Sequence, residues 1–271
     1  MKRYFLDTPY GQIHYVVEGF GDPLILLHQA PRSIDEYAKI IPILSRKYRI
    51  IAMDTLGYGD SDKPIEQPSL EDYGRTVVLL LDKMGIEKAS FVGHHMGGKV
   101  ATVVAAAYPD RVDKLVLSGP GILDDAERKK AAEEMFTRFW KIKDDGSHFM
   151  EVWQFWKEHD PLLPSNLLNR IVLDHLRAGG KDGKTGPYGF IAVFRSESEK
   201  LLSAIQSPTL ILWGTNDLTT FGFPKENEEK VNKAIARNKV IYIEGGTFAV
   251  INMMPEKFAQ LVLDFLDNPG I

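Results

Sequence analysis

The stretch Ser90-Phe91-Val92-Gly93-His94-His95-Met96-Gly97-Gly98-Lys99-Val100 constrains the chain more than any other. An apolar run rich in β-formers ends at Gly93 and an alanine-rich run of helical character begins at Met96, so only His94 and His95 are left to reverse the direction. A corner that sharp needs an unusual backbone angle and brings strand and helix into contact, and a Cβ at Gly93 or Gly97 would obstruct both. Gly93 and Gly97 stand where a G-x-S-x-G turn has its glycines, and in that arrangement the central side chain, here His95, is expected to be pushed out over the sheet edge.

The rest of the chain can be placed around that corner. Residues 2–7 and 12–18 flank Thr8-Pro9-Tyr10-Gly11 and predict an opening antiparallel hairpin. Pro23-Leu24-Ile25-Leu26-Leu27-His28, Arg49-Ile50-Ile51-Ala52-Met53 and Ala89-Ser90-Phe91-Val92-Gly93 are continuous apolar runs, the pattern of strands covered on both faces. Between them, residues 33–44 and 70–84 carry helical spacing, the second through Tyr73, Val77, Leu80, Leu81 and Met84. A helix over 96–108 stopped by Pro109 and a strand over 114–118 continue the alternation, which predicts a parallel sheet with right-handed crossovers.

From Asp124 to about Ser203 the alternation stops and the chain turns helical and aromatic. Thr209-Leu210-Ile211-Leu212-Trp213 and Val240-Ile241-Tyr242-Ile243 then resume the strands, with a closing helix over 255–266. The expected organisation is a core of residues 1–123 and 204–271, an α/β fold with a mostly parallel sheet and helices on both faces, interrupted by a helical cap at 124–203. Such a cap would lie over the carboxyl ends of the strands, where open α/β sheets bind ligands. Trp140, Trp153 and Trp156, with Phe136, Phe139, Phe149 and Phe155, fall in it. They either glue cap to sheet or wall an apolar pocket. The run Gly179-Gly180-Lys181-Asp182-Gly183-Lys184-Thr185-Gly186-Pro187 lacks phosphate-loop spacing and reads as a mobile surface loop.

Bulk properties exclude several classes of function. The 271 residues contain no cysteine, which removes disulfides, thiolate metal sites and cysteine nucleophiles. A formal net charge of −4 with no long basic run argues against nucleic acid. The start Met1-Lys2-Arg3-Tyr4-Phe5-Leu6-Asp7 has no secretory apolar core, and no apolar run reaches the ~18 residues that span a bilayer. The expectation is a cytoplasmic protein that meets a small molecule and no membrane, with its oligomeric state open.

The chain resembles the α/β-hydrolase fold superfamily from about Tyr4 to Leu266. The resemblance is carried by His28-Gln29-Ala30-Pro31, Asp54-Thr55-Leu56-Gly57-Tyr58-Gly59-Asp60-Ser61-Asp62-Lys63-Pro64, Gly93-His94-His95-Met96-Gly97-Gly98, Trp213-Gly214-Thr215-Asn216-Asp217 and Pro255-Glu256-Lys257-Phe258. Members carry G-x-S-x-G at the corner, and their nucleophile, acid and histidine follow in that chain order. The resemblance implies Asp217 as the acid, His28 and His94 as structural, and an oxyanion hole at the backbone N–H groups of Ala30 and Met96. It fails at two positions: His95 stands where the nucleophilic serine belongs, and Thr247 or Phe248 where the late histidine belongs. The seven histidines are His14, His28, His94, His95, His148, His159 and His175, none in the final third. Hydrolysis through an acyl-serine at the corner is therefore ruled out, because a hydroxyl needs an adjacent base.

The reading that follows is an enzyme in which His95, oriented by Asp217, is a general acid or base on a small carbonyl substrate of ester, lactone or β-keto type. Hydrolysis of a carboxylic ester or a C–C bond is the default. Lyase, decarboxylase or cofactor-free oxygenase chemistry is the alternative within the same site, and a non-catalytic ligand-binding or scaffold protein the alternative outside it. Gln29 either aims its amide at the substrate or bonds neighbouring loop backbone. Arg32 either holds a carboxylate or forms a salt bridge. Thr247, Trp140 and Trp153 complete the expected substrate contacts, and neither cofactor nor metal is expected, since no His or carboxylate spacing near His94-His95 completes a zinc set.

Overall fold

The computed structural model describes residues 1–122, 126–220 and 225–271. The opening hairpin is present as β1 (Lys2–Thr8) and β2 (Gly11–Glu18), followed by β3 (Pro23–Leu27). The helix expected over 33–44 is instead a single 3-10 turn, Ile34–Tyr37, and a short α1 (Ile41–Leu44). Pro42 explains the break, because it lacks the N–H that would donate to Ala38 O in a continuous helix, and it stands instead in the first turn of a new one, where no such donor is needed. Strand β4 (Arg49–Met53) leads to α2 (Leu70–Lys83), whose start is fixed by a capping box between Ser69 and Asp72. Strand β5 (Ala89–His94), α3 (Met96–Ala107) and β6 (Val112–Ser118) follow.

An inserted helical segment then runs through α4 (Ala126–Thr137), α5 (Ser147–His159), α6 (Ser165–Ala178), α7 (Tyr188–Arg195) and α8 (Ser198–Leu202). Its expected first boundary, Leu123 and Asp124, lies outside the described residues. The chain resumes with β7 (Thr209–Gly214), α9 (Thr215–Thr220), α10 (Lys225–Ala234), β8 (Asn238–Ile243), α11 (Val250–Met253) and α12 (Pro255–Asp267).

One eight-stranded sheet has the order β1-β2-β4-β3-β5-β6-β7-β8. It is antiparallel only at its first two junctions, β1 to β2 and β2 to β4, and parallel from there on. The register aligns the carboxyl ends: Leu27 pairs with Met53 and with Gly93, His94 with Ser118, Ser118 with Leu212, and Gly214 with Ile243. The residues that follow each strand therefore meet along one edge.

Alternation along the buried strands divides the core into two layers. Ile25, Leu27, Phe91, Leu115 and Ile211 face α2 and α3, while Leu24, Leu26, Val92, Val116 and Leu210 face α1 and α12. Strand β5 is buried along its whole length, which is why its sequence is continuously apolar up to the corner. A third apolar cluster joins α5 and α6 of the insertion to Phe248 and Ala249 after β8. Among the described residues no helix is long and apolar enough to cross a membrane.

Candidate functional site

The corner after β5 imposes the geometry its glycines imply. A Cβ on Gly93 would stand 2.5 Å from the Gly97 carbonyl oxygen, and one on Gly97 would stand 1.9 Å from that of Leu27. His95 itself has φ 45° and ψ −111° and is the single non-glycine residue with positive φ among those described. Such a conformation costs about 1–3 kcal/mol and persists only where its surroundings enforce it. Here the N–H of His95 donates to Ser118 O at 2.9 Å, tying the corner to β6.

The imidazole reaches across to the loop after β7. His95 Nε2 lies 2.9 Å from Asp217 Oδ2, with the carboxylate nearly buried. Asp217 is placed by backbone: its own N–H and that of Asn216 both donate to Gly246 O, at 3.0 and 2.9 Å. Gly119, with φ +61°, passes beneath the pair, and a Cβ there would come within 2.9 Å of the imidazole and 3.0 Å of the carboxylate. Burial works against the charged form of His95, but the Asp217 carboxylate and its hydrogen bond outweigh it, with help from Glu36 and opposition from Lys99, so the pKa is raised above the ordinary value. A carboxylate only accepts, so Nε2 carries the proton and, in the neutral ring, Nδ1 is the basic nitrogen.

The other two histidines of the strand edge are spent on structure. His94 bonds Ser118 Oγ through Nδ1 and Phe248 O through Nε2, both at 2.9 Å, and burial together with the neighbouring His95 lowers its pKa. Its ring sits edge-on to His95 with centroids 4.5 Å apart. His28 donates from Nδ1 to Gln29 O at 2.8 Å and accepts from Thr55 N at 2.9 Å.

A cavity of roughly 800 Å³, part of it open to solvent, lies against the corner. Its floor includes Gln29, Ala30, His95, Met96 and Lys99, and the insertion contributes Phe136, Trp156, Phe190, Val193 and Phe194 opposite. The amide of Met96 opens α3 and has no acceptor within its own helix. A second group of possible ligand atoms, on His14, Asp54 and Asp60, lies within 4.8 Å of one another. It is already knitted together by hydrogen bonds: His14 Nδ1 contacts Asp54 at 2.7 Å, Arg3 Nε donates to His14 Nε2 at 3.1 Å, and Arg3 and Arg177 both pair with Asp60.

The alpha/beta hydrolase fold family matches residues 22–252. The chain belongs to the α/β-hydrolase fold family. Among curated α/β-hydrolase relatives, a 2-hydroxy-6-oxononadienedioate/2-hydroxy-6-oxononatrienedioate hydrolase of Paraburkholderia xenovorans (strain LB400) is 29% identical over 222 residues, 76% of this chain and 74% of that protein. A soluble epoxide hydrolase of Corynebacterium sp. (strain C12) is 36% identical over 114 residues, 41% of this chain. The match spans 40% of that protein's own length. A bromoperoxidase structure from Bacillus anthracis superposes with a TM-score of 0.84 at 24% identity, covering 98% of this chain and 100% of that one.

Within this α/β-hydrolase-fold protein the residues expected to meet substrate separate into two groups. Gln29, Ala30, His95 and Met96 line the cavity, and Asp217 stands behind His95. Both amide hydrogens of Gln29 are taken inward, by Glu36 Oε1 at 2.6 Å and Phe248 O at 2.9 Å. Arg32 requires correction. Its Nε, Nη1 and Nη2 donate to Asp174, Asn252 and Asp35 at 3.0, 3.1 and 3.2 Å, so it ties α6 to the core and does not face the cavity.

Thr247, Trp140 and Trp153 are likewise outside the cavity wall. Thr247 Oγ1 accepts from Ala249 N at 3.2 Å. Trp140 stacks on His175 at 3.9 Å, and Trp153 packs on the apolar cluster of α5 and α6. The glycine-rich run 179–187 finds its explanation here rather than as a free surface loop: a Cβ on Gly186 would fall 1.9 Å from the Trp140 ring, and one on Gly183 would fall 2.0 Å from the Trp140 carbonyl oxygen. Sequence reasoning passed over Lys99, Phe190 and Phe194. Only Lys99 left a signal, as the one charged residue in an otherwise apolar or small helix.

Proposed function

We propose that this α/β-hydrolase-fold protein is an enzyme acting on a small carbonyl substrate of ester, lactone or β-keto type, with His95 as general base and then general acid. The helical insertion serves as a cap over the reacting groups. The observation that carries the reading is the 2.9 Å pair between His95 and Asp217 at the strained corner, against the cavity.

In this mechanism the substrate carbonyl oxygen receives hydrogen bonds from the N–H groups of Ala30 and Met96. Neutral His95 takes a proton from water at Nδ1 as the water oxygen attacks the carbonyl carbon. The oxyanion of the tetrahedral intermediate is stabilised by the two amides, each of which contributes about 3 kcal/mol where it has been measured in other enzymes. The imidazolium, stabilised by Asp217, then returns its proton to the departing group, and no bond to the protein forms at any stage. Asp217 holds the ring in place throughout.

Replacing His95 with alanine tests the reading. Turnover of a panel of p-nitrophenyl esters and lactones should fall by roughly 10²–10⁴-fold, with affinity for a non-reacting analogue retained. Unchanged turnover removes His95 from the mechanism. Stoichiometric labelling of the wild-type chain by a fluorophosphonate would expose a reactive serine and overturn the water-mediated route.

A further inference from the structure

Gln29 is the polar residue of the cavity floor to which this mechanism gives no part. It is 4% exposed, stands next to Ala30 in the chain and lines the cavity. Its backbone is fully engaged. The N–H donates to Glu36 Oε2 at 3.0 Å, and the carbonyl accepts from Arg32 N at 2.9 Å and from His28 Nδ1 at 2.8 Å. The side-chain amide is gripped as firmly, because Nε2 donates both to Glu36 Oε1 at 2.6 Å and to Phe248 O at 2.9 Å.

That grip settles which way the amide faces. A backbone carbonyl can only accept, so the group turned to Phe248 O is the NH2, and the amide oxygen occupies the other branch of the planar group. Gln29 Oε1 accepts from no donor among the described residues, yet it is not one of the buried atoms shut away without a partner, so it keeps surface on the residue's cavity side. It is a fixed acceptor beside Ala30, one of the two residues whose N–H groups would hold a carbonyl oxygen. An apolar ligand covering that acceptor would strip it of water and return nothing, whereas a hydroxyl would replace what is lost. Pockets with mostly apolar walls, as here from Phe136, Trp156, Phe190 and Phe194, take their specificity from a few such polar atoms.

We infer that Gln29 Oε1 is a specificity determinant that accepts a hydrogen bond from a hydroxyl close to the ligand's carbonyl, so that the substrate is a hydroxy ester or hydroxy ketone rather than a plain one. Glu36 acts through Gln29 as the positioning residue that keeps the oxygen turned outward. Naming that ligand a substrate rests on the reading of His95 given above; the recognition by Gln29 does not.

Binding of 1-hydroxy-4-phenylbutan-2-one and of its parent ketone, 4-phenylbutan-2-one, measured by titration calorimetry, tests the inference without turnover. The wild-type chain should bind the hydroxy ketone about tenfold more tightly, the worth of one well-placed hydrogen bond. The methyl ether, 1-methoxy-4-phenylbutan-2-one, keeps the oxygen and loses the hydrogen, and should bind no better than the parent. Gln29→Met removes the amide at nearly constant length, and the hydroxy ketone and its parent should then bind within about twofold of each other. The wild-type comparison decides the matter even where that variant fails to fold. Equal affinity of the wild type for the hydroxy ketone and its parent, or binding of neither, overturns the inference. So does a preference kept by the methyl ether, which would make the ligand oxygen an acceptor for the Ala30 and Met96 amides, or one that survives in Gln29→Met. Loss of ester turnover in His95→Ala beside equal probe affinities would leave the catalytic reading standing and this one refuted.

Discussion

The corner after β5 and the loop after β8 are the two places where the sequence reading expects a departure from the family pattern, and the structure equips them differently. At the corner the backbone is held by Gly93, Gly97 and the His95 N–H, and the side chain it presents is polar and directed at an acid, Asp217. At the loop the backbone is equally engaged: Gly246 O positions Asp217, and Phe248 O accepts from Gln29 and His94. Of the two positions the sequence reading offers there, Thr247 turns its hydroxyl to Ala249 N, and Phe248 packs its ring 5.1 Å from that of Trp156 in the cluster that joins the insertion to the sheet. The loop's scaffolding role resides in its carbonyls, and no imidazole takes part in it. The corner's backbone, by contrast, serves to present its side chain.

The strongest way to break the comparison is to attack the corner's backbone. Gly97→Ala places a methyl group against a buried carbonyl of β3 that cannot retreat without breaking the sheet. It should cost about 3 kcal/mol or more, read as a lowered midpoint in denaturant or as failure to fold. A stable Gly97→Ala protein would mean that the corner is looser than its geometry states. Next in size is Asp217→Asn, which retains the shape of the acid and removes its charge. Turnover should fall by roughly 10²–10⁴-fold. The His95 pKa, followed by NMR, should drop, since Asp217 is what raises it against the effect of burial.

How much of this was legible in the residues follows from the same contrast. Backbone requirements leave strong marks: Gly93 and Gly97 specify the corner and continuous apolar runs specify strands covered on both faces, whereas Asp217 is implied only by the family resemblance that Trp213-Gly214-Thr215-Asn216-Asp217 carries. Side-chain direction leaves weaker ones. Arg32 and Gln29 sit in one loop, and nothing local says that Arg32 turns to Asp174, far along the chain, while Gln29 stays at the cavity. Trp140 and Trp156 lie in one insertion, and only the packing of Gly183 and Gly186 distinguishes the tryptophan wrapped by a loop from the one at the wall. The helix expected over 33–44 failed for a reason visible in the sequence, Pro42, whose effect the helical spacing obscured.

The comparison can be sharpened by exchanging the two departures. His95→Ser combined with Phe248→His introduces a hydroxyl at the corner and an imidazole in the loop, with Asp217 still held by Gly246 O. The double variant should be labelled by a fluorophosphonate, whereas the wild type and either single variant should not, because a serine without its base remains unreactive. Labelling of His95→Ser alone would mean that another base already reaches the corner. Absence of labelling in a folded double variant would mean that the loop has lost the geometry as well as the residue.

The smallest expected effect concerns stability and has a definite sign. The folded pKa of His95 is raised above its ordinary value of about 6.5, so the folded state binds the proton more tightly than the unfolded state does. The stabilisation from the His95–Asp217 pair is then fully present below the unfolded pKa and is lost as pH rises through the higher folded pKa. The gap in thermal midpoint between the wild type and His95→Gln should therefore be widest in mild acid and should close across that window, in scans from about pH 5.5 to 9. The rate should move the other way if His95 begins the reaction as a base: it should rise over the same window as the ring loses its proton, and that rising limb should shift to lower pH in Asp217→Asn. A gap that widened with pH would place a neutral ring beside Asp217 and remove the electrostatic reason for pairing the two residues at the corner.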